Sequence, residues 1–452
     1  MSKSHAWLLL SQLVVFGLCT DLSGQSSNTA HRDPADVHDW RESARENGLG
    51  AQEIEQLART QVLVGDPTYK QVFEPYLGSP LPVFITSDSL LGGFHVLFEE
   101  SVVRLEMANA RRLRPILKRV WANLQTAEKL FTGKPPLIAA AEKRATITLA
   151  TALRLLGEKV PLEAATAALV DAEVARVESG RERLKPEWLG PPDPGFVALD
   201  YTRFQPRGFY VRRPSLERYF RAVSWLQSIP FRVQIDEEFL AFLILARCAR
   251  VGEFQKDREC ERELRDFLQG MDELLGSSDG GHLLAAVDLL PSGWDERPID
   301  LARRVGGLQK LRADVQDRIA WHGGESKIND QIAFIPDDPA AAAELTLRVL
   351  PARRTPDALL FGRTTDPRRF RRNLPDGLEL CAALGSPFAR SRLASQDDRK
   401  LLAEIDGAKP FLSNRSLYCQ YLHCLEALMI DAEPDAPPFM SSEAWQIKSC
   451  QT

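Results

Sequence analysis

The sequence lacks the short motifs of several large enzyme classes. It contains no phosphate loop of the form Gly-x-x-x-x-Gly-Lys-Ser, no dinucleotide-binding Gly-x-Gly-x-x-Gly and no zinc-binding His-Glu-x-x-His. Cys-x-x-Cys is also missing, which excludes the usual zinc ribbon and the thioredoxin-type redox centre. We therefore expect neither a nucleotide enzyme nor a zinc protease, and we predict no cofactor and no metal.

Charge of one sign is not in excess either. The 452 residues include 57 Lys and Arg against 62 Asp and Glu, a formal net charge of −5. A chain without a basic excess has no electrostatic signature for nucleic acid, so we predict no nucleic-acid partner. Its hydrophobic content of 44% is typical of globular proteins. The sequence does not identify protein partners.

Only one long apolar run is present, and it lies near the N-terminus. It extends from Ala6 to Cys19, follows Lys3 and precedes small polar residues suited to cleavage near Gly24. Such a run is typical of a secretory signal peptide and is shorter than the roughly 20 residues that cross a bilayer. We predict a signal peptide at 1–24 and an exported protein, periplasmic or extracellular, without a membrane span in the mature chain. A lipoprotein is the minor alternative.

Helical periodicity dominates the rest of the chain, and strand patterns are few. After a disordered or polar lead-in at 25–45, the sequence predicts a mainly α fold. We expect an irregular multi-helix array of antiparallel helices with at most a few short strands, the best of them at 81–88 and 331–336. A Pro-rich stretch separates an N-terminal helical half, 46–185, from a C-terminal helical half, 186–452. We expect both halves to be continuous within one large domain.

Glycines mark two helix ends and one unusual helix interior. The segments that end at Gly157 and Gly180 stop where a left-handed residue is expected. Gly92 and Gly93 instead lie inside a predicted helix, where each costs about 1 kcal/mol relative to alanine. We therefore expect another helix or a ligand to approach that backbone closely.

The same helix carries the first candidate site. His95 and Glu99 are four residues apart, so an imidazole and a carboxylate on one face can share a proton or a metal ion. A metal site needs three or four ligands, and the pattern offers two. The alternative is a core-boundary histidine paired with its helical neighbour. Asp88 is a helix cap or a ligand-binding residue, and Leu97 falls on the predicted core stripe.

The second candidate site is the stretch ALDYTRFQPRGFY at 198–210, together with the helix that follows it. The stretch concentrates polar and aromatic side chains around a Pro-Arg-Gly turn, namely Asp200, Tyr201, Arg207 and Tyr210. On the next helix, Arg221 and Trp225 are spaced for a cation–π contact on the predicted polar face. Trp225 then either packs against a second layer or lines a pocket suited to saccharides or anions.

Four stretches, in their order and spacing, resemble a bacterial and archaeal family known as domain of unknown function 3160. They are PVFITSDSLLGGFHVLFE, LDYTRFQPRGFYVRRPSLERYFRAVSWL, RRNLPDGLELCAALGSPFAR and LYCQYLHCLEALMIDAEPDAPPFMSSEAWQIKSCQT. The resemblance covers about residues 70–452. It implies a mostly helical, often exported protein whose activity has no settled assignment.

Three departures from the family pattern bear on the chemistry. The resemblance implies histidines at two positions where this chain has Gly92 and Phe209, so His95 alone is kept from that set. Similar proteins also continue past the stretch AWQIKSCQT, so we expect a truncation at Thr452.

Two functions fit these observations. The favoured one is an exported helical protein that serves as a non-catalytic scaffold or a ligand-binding envelope protein. The alternative is a hydrolase acting on a saccharide or another polar or anionic substrate, with paired carboxyl groups as acid and base. The candidate catalytic residues are His95, Glu99 and Asp200. The candidate ligand-binding residues are Asp88, Tyr201, Arg207, Tyr210, Arg221 and Trp225.

Overall fold

The computed structural model describes a set of segments that together cover most of the chain from Trp40 onward. They are residues 40–46, 48–60, 63, 87–129, 135–250, 259–275, 282–284, 287, 307–321, 334–335, 346–351, 355–365, 374–394, 399–413, 416–426, 429 and 441–451. The predicted signal peptide at 1–24 lies outside these residues, as does most of the strand predicted at 81–88.

The predicted mainly α fold is confirmed. The α-helices of the described segments are α1 (Trp40–Glu46), α2 (Ala51–Thr60), α3 (Ser87–Lys129), α4 (Pro136–Leu155), α5 (Ala164–Ser179), α6 (Pro214–Ser228), α7 (Asp236–Arg250), α8 (Glu259–Leu275), α9 (Gly307–Trp321), α10 (Pro356–Thr364), α11 (Gly377–Ala383), α12 (Pro387–Ala394), α13 (Arg399–Leu412), α14 (Leu417–Glu426) and α15 (Glu443–Gln451). None of these described helices combines the length and apolar character needed to cross a bilayer.

Short strands form two small antiparallel sheets. The strands are β1 (Arg183–Leu184), β2 (Ala198–Asp200), β3 (Phe231–Arg232), β4 (Phe334–Ile335) and β5 (Thr346–Leu347). β2 is the central strand of the first sheet, between β1 and β4, and β3 pairs with β5 in the second. β4 lies inside the stretch 331–336 that the sequence marked as a strand. β1, β2 and β3 lie in the chain segment between α5 and α7, which also contains the second candidate site. The two sheets therefore pair this segment with β4 and β5.

The first hydrophobic core surrounds α4. This helix contacts α3, α5, α6 and α7, and its alanines and branched residues are buried around almost the whole circumference. A helix that is apolar all round belongs in the centre of a protein. The buried cluster extends from Leu113 to Leu350, so it draws on both predicted halves, and the boundary at 185/186 stays a prediction. A second buried cluster joins residues from Leu360 to Met429.

The two predicted glycine helix ends adopt the expected conformation. Gly157 has φ +85° and Gly180 has φ +57°, and Gly180 caps α5 in the left-handed region. At Gly180 the close neighbour is Gln205, whose Nε2 would lie 1.9 Å from an added Cβ. Gln205 also donates a hydrogen bond to the carbonyl oxygen of Glu178, at 3.2 Å. The glycine therefore lets the second candidate site dock on the end of α5.

One expectation for α3 was wrong. Leu97, predicted on the core stripe, is 67% exposed. A Cβ built on Gly93 would meet no heavy atom of the described residues within 4 Å, and the expected close approach to the backbone of Gly92 and Gly93 stays a prediction. Periodicity identifies residues that share a helix face, but it does not tell whether another element covers that face.

Candidate functional site

The stretch 198–210 begins with a buried aspartate that organises its own loop. Asp200 ends β2 and caps the 3-10 helix Tyr201–Phe204, since its Oδ1 accepts hydrogen bonds from the backbone N and the Oγ1 of Thr202 at 3.1 and 2.5 Å. Its Oδ2 lies 3.0 Å from the Nε of Arg183. Burial opposes ionisation, but Thr202 and Arg183 outweigh it and lower the pKa of Asp200. Asp200 is thus an ionised cap.

Tyr201 connects the loop to α5. Its ring is fully buried, and its hydroxyl donates a 2.6 Å hydrogen bond to Oε2 of Glu173, which is itself fully buried. The guanidinium of Arg176 donates to the other oxygen of this carboxyl group. Burial raises the pKa of Glu173 despite these contacts, and burial beside Glu173 raises the pKa of Tyr201. The phenol is therefore a neutral donor.

Tyr210 makes the matching connection to α3. It lies in the 3-10 helix Gly208–Arg212, and its hydroxyl donates a 3.0 Å hydrogen bond to Oε2 of Glu106. Glu106 is 3% exposed. Burial raises its pKa, although Tyr210, Asn109 and Tyr219 act in the opposite direction. Asn109 and Tyr219 lie close to Glu106 without forming a well-directed bond to its Oε1. This buried carboxyl group with phenol neighbours was not anticipated from the sequence.

The two candidate residues of α3 are engaged with different partners. Glu99 forms a 2.8 Å ion pair with Arg212, which adds a second link between α3 and the loop. His95 is exposed, and its ring lies 6.0 Å from the ring of Tyr421 at an angle of 45°. Tyr421 stacks in turn on Phe94 and on Phe98 of α3. The shared role of His95 and Glu99 in proton or metal binding stays a prediction.

Three further candidate residues differ in exposure. Arg207 is exposed. Arg221 is half-buried, 3.5 Å from Oε2 of Glu217. Asp88 lies in the first turn of α3, but its side chain is outside the described part of the structure. Within that part, no group of three or more His, Cys, Asp or Glu side chains is arranged to hold a metal ion.

Trp225 is fully buried, so the expectation that it lies on a polar helix face was wrong. Its Nε1 donates a 2.9 Å hydrogen bond to the carbonyl oxygen of Thr148 in α4. The rings of Trp188 and Phe204 lie 6.2 and 6.1 Å away. The reason is that α6 is covered on more than one side, by α3, by α4 and by the loop. Of the two alternatives for Trp225, packing against a second layer describes its position.

A buried network of charges beside the loop was also missed. Glu238, in the first turn of α7, accepts hydrogen bonds from Arg232 at its backbone N, Nε and Nη2, at 2.8, 3.1 and 2.7 Å. Nη2 of Arg144 lies 3.1 Å from the same carboxylate. All three residues are at most 5% exposed. In the sequence, the three consecutive acids before the apolar stretch FLAFLILA read as an ordinary acidic helix start.

The network continues to a turn that precedes β2. Asp193 accepts hydrogen bonds from Nη1 of Arg232 at 2.6 Å and from Nζ of Lys185 at 2.9 Å. Burial opposes ionisation of Asp193, but these two cations outweigh it and lower its pKa to about 2. Burial lowers the pKa of Lys185, whose ammonium lies 4.3 Å from the ring centre of Phe196. These contacts fix the approach to the loop from its N-terminal side.

Fold and site together define a mostly helical protein in which a polar loop is bound to the surrounding helices. A family model described as "Protein of unknown function (DUF3160)" matches residues 50–452. The chain belongs to this family. No match was found among curated proteins or among solved structures.

Proposed function

We propose that the protein is an exported, non-catalytic helical scaffold. In this scaffold the polar stretch 198–210, together with the helix α6 that follows it, joins the surrounding helices. The observation that carries the proposal is that polar groups of this stretch and of α6 form hydrogen bonds to other parts of the same chain. The hydroxyl groups of Tyr201 and Tyr210 bind buried carboxyl groups, and the indole N–H of Trp225 binds a backbone carbonyl. Buried polar groups with such partners hold a chain in one arrangement.

The two carboxyl groups that were expected to serve as acid and base of a hydrolase, those of Glu99 and Asp200, are both engaged with other side chains. Glycoside cleavage requires one carboxyl group that retains its proton near neutral pH and another that is ionised. The pKa of Asp200 is lowered and its carboxylate is occupied by Thr202 and Arg183. Glu99 is paired with Arg212. The carboxylates of Asp200 and Glu99 are therefore better suited to connecting segments of the chain than to transferring a proton.

A second candidate, binding or hydrolysis of a saccharide or another polar or anionic ligand, is favoured by one observation. Glu106 is a buried carboxyl group with a raised pKa that stands beside the motif residue Tyr210. A carboxyl group with a raised pKa keeps its proton to higher pH than an ordinary one and is better suited to act as a general acid. Arg207, on the same loop, is exposed and can attract an anion.

A ligand screen separates the two functions. The purified protein is heated with oligosaccharides, divalent cations and phosphorylated compounds, and its midpoint of unfolding is followed. The scaffold predicts no stabilisation by any of these classes, and an unchanged midpoint for Arg207→Ala. A compound that raises the midpoint at saturating concentration, with an effect abolished in both Arg207→Ala and His95→Ala, would establish ligand binding instead.

The variant Tyr210→Phe completes the comparison. The scaffold predicts that it lowers the midpoint in the absence of any ligand, since the carboxyl group of Glu106 loses its phenol donor. Export is tested separately by fusing residues 1–24 to a reporter enzyme that is active only outside the cytoplasm. An inactive fusion that stays in the cytoplasm would refute export while leaving the scaffold role open.

A further inference from the structure

Two cysteines meet in the second hydrophobic core. Cys381 is buried on α11, and Cys450 is half-buried on α15. The Sγ of Cys381 lies 3.8 Å from the backbone oxygen of Cys450, and, beyond the effect of burial, the side chain of Cys450 is close enough to the Cys381 thiol to raise its pKa. Ser386 holds its Oγ 3.5 Å from the Sγ of Cys450. Both thiols are free, and each is the near neighbour of the other.

We infer that Cys381 and Cys450 are a disulfide-forming pair, a covalent modification site that ties α15 to α11. α15 packs against α11 and α12, so a bond at this point would fasten it where it already packs. A disulfide requires Cα atoms within about 7 Å and converging Cβ atoms. The 3.8 Å contact between the Cys381 thiol and the backbone of Cys450 places the two residues side by side, as such a bond requires.

The other described cysteines do not offer an equivalent pair. Cys260 directs its Sγ to the carbonyl oxygen of Ile116, at 3.8 Å. Cys419 directs its Sγ to the carbonyl oxygen of Phe411, at 3.7 Å. Cys248 has Cys260 as a neighbour, and the Cys260 thiol is the one that contacts Ile116. We therefore expect the disulfide to form between Cys381 on α11 and Cys450 on α15.

The chemistry is thiol–disulfide exchange with a disulfide oxidant such as oxidised glutathione. The thiolate of Cys450, the more exposed of the two, attacks one sulfur of the oxidant, forms a mixed disulfide and releases one glutathione thiolate. The thiolate of Cys381 then attacks the Sγ of Cys450 and releases the second. The protein loses two electrons and two protons, and the oxidant becomes two thiols. Burial raises the pKa of Cys381 to about 12, so the second step relies on proximity more than on thiolate abundance.

Peptide mapping tests the bridge directly. The purified full chain is equilibrated with oxidised and reduced glutathione, its free thiols are blocked with N-ethylmaleimide, and it is digested with trypsin. Cys381 lies in the tryptic peptide 373–390, and Cys450 lies in the peptide 449–452, each without another cysteine. We expect these two peptides to be joined, with a mass two hydrogens below their sum, and to separate on reduction.

Substitutions provide the matched comparison. Cys450→Ser and Cys381→Ser must each abolish the joined peptide, whereas Cys424→Ser, a half-buried cysteine on α14, must leave it unchanged. The wild-type measurement stands even if one variant fails to fold. A folded wild-type protein in which both peptides carry N-ethylmaleimide overturns the inference, and so does a joint between Cys450 and any other cysteine. Neither outcome depends on the scaffold or on export, because the oxidant is added in vitro.

Discussion

Replacement of Glu238 by glutamine removes the charge at the centre of the buried network while keeping the shape of the side chain. In the native protein this carboxylate faces two guanidinium groups, those of Arg144 and Arg232, and no more than 5% of any of the three residues is exposed. The amide of Glu238→Gln would turn its NH2 group toward one set of N–H donors. Arg232 would keep Asp193 at 2.6 Å, and Arg144 would keep Glu237 at 3.6 Å.

The expected cost follows from that geometry. Breaking a buried ion pair by removing one partner costs about 3–5 kcal/mol, because the remaining charge is left in a poorly solvating environment. Here Arg232 retains a close carboxylate, whereas Arg144 retains only the longer and partly exposed one. We therefore expect Glu238→Gln to lower the free energy of unfolding by about 3 kcal/mol, near the lower end of that range.

The neighbouring residue Glu237 supplies the control. Its side chain is 36% exposed and contacts Arg144 once, at 3.6 Å, so Glu237→Gln should cost less than about 1 kcal/mol. Urea unfolding followed by circular dichroism gives both values, and a repeat at high salt should shrink the small cost but not the large one. Equal costs for Glu238→Gln and Glu237→Gln would refute the idea that the buried network orders the loop.

Three further substitutions test single contacts by urea unfolding. Glu106→Gln resembles the protonated acid. Because burial raises the pKa of the folded-state carboxyl group above 4.5, the wild-type protein loses stability as the pH rises from 4.5 through that raised pKa, and the stability of the variant relative to wild type should increase over the same rise. A constant difference would contradict this. Tyr201→Phe removes the donor to Glu173 and should cost about 1–3 kcal/mol; no cost would make the contact dispensable. Gly93→Ala should stabilise by about 0.5–1 kcal/mol, and destabilisation would reveal a covered face.

The fold class was predictable because it depends on local properties of the chain. Helical periodicity and the left-handed glycines at 157 and 180 are determined by a few neighbouring residues, and they appear as expected. Coverage is not local. Leu97 was expected on the core stripe of α3 yet is exposed, and Trp225 was expected on a polar face of α6 yet is fully buried. Which side of a helix is covered depends on elements far away in the sequence.

The same distinction holds for the candidate site. The stretch 198–210 was identifiable, since its polar and aromatic residues are concentrated around one turn. Its partners were not, because Glu106 and Glu173 read as ordinary polar positions of long helices. Arg144 of α4 is buried in the structure, but in the sequence it cannot be distinguished from a surface arginine until the position of its partner Glu238 is known. A buried charge has no sequence signature apart from the partner that compensates it.

The position of Phe209 bears on what this member of the family can do. Its ring lies 4.3 Å from the ring of Tyr210, whose hydroxyl binds Glu106. The resemblance implies a histidine at this position, which would place an imidazole beside the buried carboxyl group and its phenol donor. Phenylalanine supplies the same ring contact but cannot accept or donate a proton. The cluster then retains the hydrogen bond that holds α3 to the loop, and Phe209 does not add an imidazole that titrates near neutral pH; both points support the proposed scaffold role.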